Sequence, residues 1–338
     1  MKKRIITIIS LLILGLGWLN AQNFDKNKVA FSYTKMPLTP LSKEITTYSV
    51  RLDLGYIYAG DSKTVVENSI KNAATINHLK KIFGNGAQLF VRLESYYKSE
   101  KKIVENVKSV KKGEERVNVT YYSYRFSYKY PLYFEMRLPG EVDPYESVFI
   151  NNSDQMSSYK SKEYKSKSEL YKWWNENYKT LQGELRKKLL SRNTSMLKKH
   201  IENKYGYTSV STSNKFLTVK KFKKFDYSDV TSALEIAKTA FSLVKKEDLI
   251  FNDDFKAKIQ EAVDQWNKIL EESDLENKKT RINEKITEAL YTNIYMSYVY
   301  MDEFDKADKI KELTEISDEL ERLKTDRQAR YNANIDRL

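Results

Sequence analysis

The sequence predicts an α+β protein: a mixed sheet with packed helices in the N-terminal region, then an all-α region to the C-terminus. Three observations predict it. All five prolines (Pro37, Pro40, Pro131, Pro139, Pro144) precede residue 145, and of the ten glycines only Gly183 and Gly206 follow Gly140. Turn-forming residues are therefore confined to the first part of the chain. Between about residues 48 and 138 apolar side chains alternate with period two in several stretches, as half-buried strands require. Beyond about residue 165 they recur every three or four positions, as helices require.

The N-terminus reads as a secretory leader. Lys2, Lys3 and Arg4 form a positive start, Ile5 to Leu16 an apolar stretch, and Leu19-Asn20-Ala21 a cleavage site after Ala21. The stretch is short for a bilayer span and polar chain follows at once. Residues 1–21 are thus expected to be a signal peptide, and the mature chain to carry no transmembrane segment. The expected location is outside the cytoplasm, in the periplasm or at the cell surface.

Residues 23–44 read as extended and turn-like. Tyr48, Val50, Leu52, Leu54, Tyr56 and Tyr58 then form one face of a strand. A helix is expected over 63–83 on Val66, Ile70, Ala73, Leu79 and Phe83, ended by Gly84 and Gly86. Leu89, Val91 and Leu93 predict a strand over 87–94, which completes a β-α-β unit. Residues 98–116 read as a charged hairpin tip or loop. Strands are expected at 117–130, with Tyr122, Tyr124, Phe126 and Tyr128 on one face, and at 131–138. A further short strand is expected near 148–150. Aromatic ladders of this kind form by cross-strand packing, and they also suggest a carbohydrate platform.

Leu170, Trp174, Tyr178, Leu181, Leu185 and Leu189 predict a long helix over 165–202. Two short strands, 207–211 and 216–222, are expected to return to the first sheet. The remainder reads as four helices: one capped by Ser228, one capped by Asn252, one carrying Ile282 to Ile294, and one running from Asp302 through Leu323. The expected divisions are 22–160 for the α+β sheet domain, 161–225 for a basic helix and short strands completing it, and 226–338 for the helical domain.

Tyr298, Phe304 and Ala307 fall at an aromatic, aromatic and small position where two antiparallel helices would cross. Over about 280–315 this pair resembles a tetratricopeptide hairpin, with a weaker counterpart at 228–271. The glycines and terminal proline of that repeat are missing here. The resemblance implies an all-α, tetratricopeptide-like C-terminal domain used for protein binding. With the leader ending in Ala-Gln and the proline-rich stretch after it, the whole chain resembles exported proteins of Bacteroidota. The resemblance supplies no catalytic residues.

The formal charge of +13 is unevenly placed. Residues 160–224 hold 18 basic and 5 acidic residues, a net of +13, whereas residues 225–338 hold 18 basic and 26 acidic, a net of −8. Lys220, Lys221, Lys223 and Lys224 make the densest run, a candidate contact for an anionic partner or for the acidic helices of the same chain. Nucleic acid is not expected: of 59 basic residues only 13 are Arg, the preferred reader of phosphates and bases. Abundant Lys, Asn, Ile and Tyr follow from A/T-rich codons.

Chemistry is sparse. There is no cysteine, and the two histidines, His78 and His200, stand in ordinary amphipathic contexts. Metalloprotease, phosphate-loop, nucleophile-elbow and calcium-loop motifs are all missing. The acidic run Asp302, Glu303, Asp305 and Asp308 suits a helix start. No catalytic residue, cofactor or metal is expected. The expected function is a non-catalytic interaction or scaffold protein of the cell envelope, with a protein partner. The alternatives are a module binding glycan or anionic envelope polymer, and a hydrolase built on two carboxylates, whose spacing follows no local rule.

Overall fold

The structure is a computed structural model that describes residues 24–84, 86–220 and 224–338. The leader expected at 1–21 lies outside the described residues, as do Lys221 and Lys223. The fold is mixed, with both helices and sheets. The chain divides into two compact units: a sheet unit of residues 37–207, and a ribbon unit in which residues 24–36 join 208–338.

In the sheet unit, strand β2 (Thr47–Leu54), helix α1 (Lys63–Ala73) and strand β4 (Ala87–Leu93) form the expected β-α-β unit, with β2 and β4 parallel from Tyr48↔Ala87 to Leu54↔Leu93. Ser62 caps α1 by accepting from the Val65 N–H. The helix stops at Ala73 rather than Phe83, because Ala74 leaves helical geometry, and Phe83 is fully exposed. His78 therefore lies in a turn, not a helix. Gly86 is obligatory at the start of β4: its φ is +153°, and a Cβ there would lie under 3.0 Å from the Thr47 backbone.

One sheet of this unit runs β3 (Lys80–Lys81), β2, β4, β8 (Leu132–Arg137) and β9 (Glu146–Phe149). A second is built on β7 (Glu115–Lys129), which pairs with β5 (Tyr97–Lys98), β6 (Lys102–Lys112) and β10 (Ser157–Lys160). The segment expected as a charged loop at 98–116 is thus mostly strand: β6 and β7 form a long hairpin with Gly113 at its tip. Its charged residues point to solvent, which removed the apolar alternation that marks a strand. Helix α2 (Lys167–Tyr205) covers the unit with Leu170, Trp174, Leu189, Leu197 and Ile201.

The ribbon unit departs most from the sequence reading. Residues 24–35 form β1 (Phe24–Lys35), and the two short strands expected at 207–222 are one strand, β11 (Thr208–Val219). β11 does not return to the first sheet but pairs antiparallel with β1 along its whole length. The division near 225 expected from composition is replaced by breaks at 36/37 and 207/208, since this pairing carries the N-terminal strand to the C-terminal helices.

The helices of this unit are α3 (Ser228–Ser242), α4 (Asp253–Leu270), α5 (Glu284–Tyr300), α6 (Phe304–Lys311) and α7 (Asp318–Asn334). Asn252 caps α4 as expected, accepting from Phe255 N–H at 2.8 Å. Ser228 is instead the first residue of α3, and Asp226 accepts from its N–H at 2.9 Å. The single helix expected from Asp302 to Leu323 breaks at 312–317 into α6 and α7. Phe31, Phe216, Phe241, Phe255 and Trp266 form the centre of this core.

Candidate functional site

The site is built on the β1–β11 ribbon. Alternation gives it two faces. Val29, Phe31, Asn214 and Phe216 face the helices and are buried, whereas Lys26, Lys28, Ser213 and Lys215 face away and are exposed. Lys28 and Lys215 stand directly opposite each other, a like-charge pair that disfavours the ladder.

Beside β11 lies a cleft of about 520 Å³. Its walls are β11 from Thr212 to Leu217, α5 at Thr292, Met296 and Tyr300, and α7 at Leu320, Arg322, Leu323 and Asp326. Met296, Leu217, Leu320 and Leu323 make part of it apolar. Lys26, Lys215 and Arg322 supply positive charge. Among the described residues none of these three cations, nor Lys28, forms an ion pair; the neighbouring Lys35 and Lys220 do, with Asp326 and Asp25.

Two carboxylates, Glu319 and Asp326, also line the cleft, and Asp326 is already engaged by Lys35 and Arg330. Burial pushes the Asp326 carboxyl up, but hydrogen bonds from Arg330 and Lys35 outweigh it and hold it below the usual carboxylate range. Burial pushes the Tyr300 hydroxyl up to about 12, so it stays protonated and donates to Asn214 Oδ1 at 3.0 Å. The Nδ2 of Asn214 is buried and has no hydrogen-bond partner among the described residues. The arrangement can bind and orient an anion; the lowered Asp326 carboxyl and the raised Tyr300 hydroxyl are both moved away from neutrality, where a proton-transfer group works.

α7 is fixed by two arginines. Arg327 makes a paired contact with Asp302, 2.7 and 3.2 Å, and lies 4.6 Å over the Phe251 ring. Asp302 occupies a left-handed turn, φ 62°, between α5 and α6. It therefore serves α7 rather than the start of a helix. Arg330 donates to the Met36 carbonyl and to Asp326.

The residues singled out from sequence fall as follows. Lys220 reaches Asp25 at 3.4 Å, both well exposed. Lys224 donates to the Lys279 carbonyl at 3.4 Å and lies 4.8 Å over the Phe225 ring. Neither Lys220 nor Lys224 lines the cleft. Ala307 is fully buried with Tyr295, Val299 and Ile316, and Phe304 is buried edge-on to Tyr331. Tyr298 is half-buried beneath Lys306. Sequence reasoning missed Lys26, Lys215 and Arg322 because they come from three distant segments.

The tyrosine face of β7 is not a platform. Tyr124 and Phe126 are 1% and 2% exposed and pack on Trp174, with ring centroids 4.9 and 5.8 Å away. A second polar cluster lies in the sheet unit. Glu146 on β9 accepts from His200 Nε2 at 3.1 Å and from Lys204 and Tyr205. Burial pushes its carboxyl up, but these bonds outweigh it and bring the value to about 2. Both oxygens are occupied, so Glu146 anchors an edge strand to α2 and is a poor proton acceptor. His78 packs edge-on to Tyr207 at 4.8 Å.

Among the described residues no group of three or more His, Cys, Asp or Glu could hold a metal ion, and no helix is long and apolar enough to cross a membrane. No family model matches the chain and no curated protein matches it. Among solved structures it is similar to a minor lipoprotein from Acinetobacter baumannii, at 12% identity over 47% of this chain and 93% of that one, with a TM-score of 0.21. A likeness at that score carries no argument about fold or function.

Proposed function

We propose that this chain is an exported, non-catalytic interaction protein of the cell envelope that holds an acidic partner in the cleft of its ribbon unit. One observation carries the reading: Lys26, Lys215 and Arg322 line a partly apolar cleft, form no ion pair among the described residues, and outnumber the two carboxylates of its lining, Glu319 and Asp326. Clustered like charges repel one another, and an anionic ligand relieves that repulsion while gaining from all three. The tetratricopeptide-like crossing of α5 and α6 at Ala307 is read as the support that holds the α5 wall. The test is binding of fluorescent poly-L-glutamate to the parent and to a Lys26→Gln, Lys215→Gln, Arg322→Gln variant. Equal affinity would overturn the reading.

A further inference from the structure

We infer that the partner enters the cleft as an extended polypeptide segment and adds a strand to the outer edge of β11. This rests on the acidic-partner reading of the same cleft and names the partner's chemistry. The argument begins at Leu217. Its N–H donates to Asn293 Oδ1 at 2.9 Å, and its carbonyl accepts from Asn293 Nδ2 at 2.8 Å. Both backbone groups of Leu217 therefore point away from β1.

In an antiparallel ladder, successive residues turn their N–H and C=O alternately toward and away from the partner strand. The register is continuous from Phe24↔Val219 to Lys35↔Thr208, so Lys215, Ser213 and Ser211 point outward with Leu217. β1 confirms the phase. Thr34, opposite Ser209, sends its N–H outward to the Asp248 carbonyl at 3.0 Å. Among the described residues nothing accepts from the N–H of Ser213 or Lys215 on that side. The Asn293 amide thus imitates one residue of a third strand and marks where that strand would end.

The surroundings select the occupant. A strand laid along Ser211–Lys215 would point alternate side chains to the two faces of the ribbon. One set would meet Met296, Leu320 and Leu323, and the other would stand beside Lys215, in line with Lys28 and Lys26. An extended segment alternating apolar and acidic residues satisfies both sets, while its backbone pairs with the edge. An anionic glycan or a polyphosphate would neutralise the lysines without supplying the regularly spaced backbone carbonyls that pair with a strand edge.

The probe is a capped, fluorescein-labelled octapeptide of alternating Val and Glu, with two relatives N-methylated on every Val amide or on every Glu amide. Alternate amides of a strand face opposite edges, so each relative loses one edge only. Against the parent protein, one relative is expected to bind about tenfold or more weaker and the other within about threefold of the unmethylated peptide. Ser213→Pro removes one outward N–H at an edge position, where proline is tolerated. It should weaken the peptide about tenfold and leave inorganic polyphosphate binding unchanged. If that variant does not fold, the methylation asymmetry in the parent decides alone. Equal effects of the two methylations, or polyphosphate binding without peptide binding, overturn strand addition while leaving the acidic-cleft reading in place. Failure of every polyanion to bind overturns both.

Discussion

Asn293 is fully buried on α5, and its side chain bonds both backbone groups of Leu217, at 2.9 and 2.8 Å. A polar residue in the middle of an apolar helix is costly unless satisfied, and here it completes a strand edge 76 residues away. Asn293→Ala should lower stability by about 2 kcal/mol, since Leu217 loses two partners in a half-dry site. Asn293→Asp retains an acceptor for the N–H but sets a carboxylate against the Leu217 carbonyl, and should be less stable than Asn293→Ala at pH 7. Urea unfolding of the three proteins checks the order.

The Glu146 cluster makes a pH prediction. Its carboxyl falls from an ordinary 4.5 to about 2 in the folded protein. A depressed folded value contributes stability that is present above the unfolded value and lost as pH falls toward the folded one. His200, Lys204 and Tyr205 all face the carboxylate. The gap between the parent and Glu146→Gln should be on the order of 1–2 kcal/mol at pH 6, after discounting for solvent screening. It should shrink between pH 4.5 and 2. A gap independent of pH would remove the ionised carboxylate from the account.

Ala307 has no exposed surface and sits where α5 and α6 cross. Ala307→Trp should overpack that contact and cost about 1–3 kcal/mol, and Ala307→Ser should cost less. Equal melting temperatures for Ala307→Trp and the parent would place the residue elsewhere.

Residues 37–207 own a separate core of strands and α2. Expressed alone, that segment should melt cooperatively with a mixed helix and strand spectrum. A chain cut after residue 226 instead keeps β1 and β11 without the helices that cover Phe31 and Phe216, and should expose that ribbon to proteolysis. Resistance of the ribbon in the longer fragment would show that the helices are not needed to hold it.

Local patterns were legible. The alternation of Leu89, Val91 and Leu93 and the cap at Asn252 place β4 and α4 within a residue or two, because each signal is carried by neighbours in the chain. The β1–β11 pairing was not. Its partners stand 173 to 195 residues apart, from Lys35↔Thr208 to Phe24↔Val219, and β11 reads Ser-Val-Ser-Thr-Ser-Asn along its exposed half. That run has too few apolar residues to announce a strand. The break between α6 and α7 was hidden because Leu313 and Ile316 continue helical spacing across it. The charge reading found the lysine-rich run at 220–224 but not that Lys26, Lys215 and Arg322 line one cleft, which depends on the long-range pairing. Asn293, a carboxamide between Leu290 and Ile294, was the one local hint, since a buried amide on an apolar face needs a partner.

The central claim is that the ribbon cleft holds an acidic partner, and fluorescence anisotropy with poly-L-glutamate tests it most directly. Titrations at about 50 and 500 mM salt shorten the screening length from roughly 14 to 4 Å. The account predicts binding at low salt that weakens steeply at high salt. It also predicts loss of about tenfold or more in the Lys26→Gln, Lys215→Gln, Arg322→Gln variant, with a melting temperature no lower than the parent's, because among the described residues these side chains form no ion pair and Lys215 stands opposite Lys28. Lys220→Gln, away from the cleft and paired with Asp25, should bind as the parent does. Parent and triple variant binding alike, or a loss confined to Lys220→Gln, would contradict it.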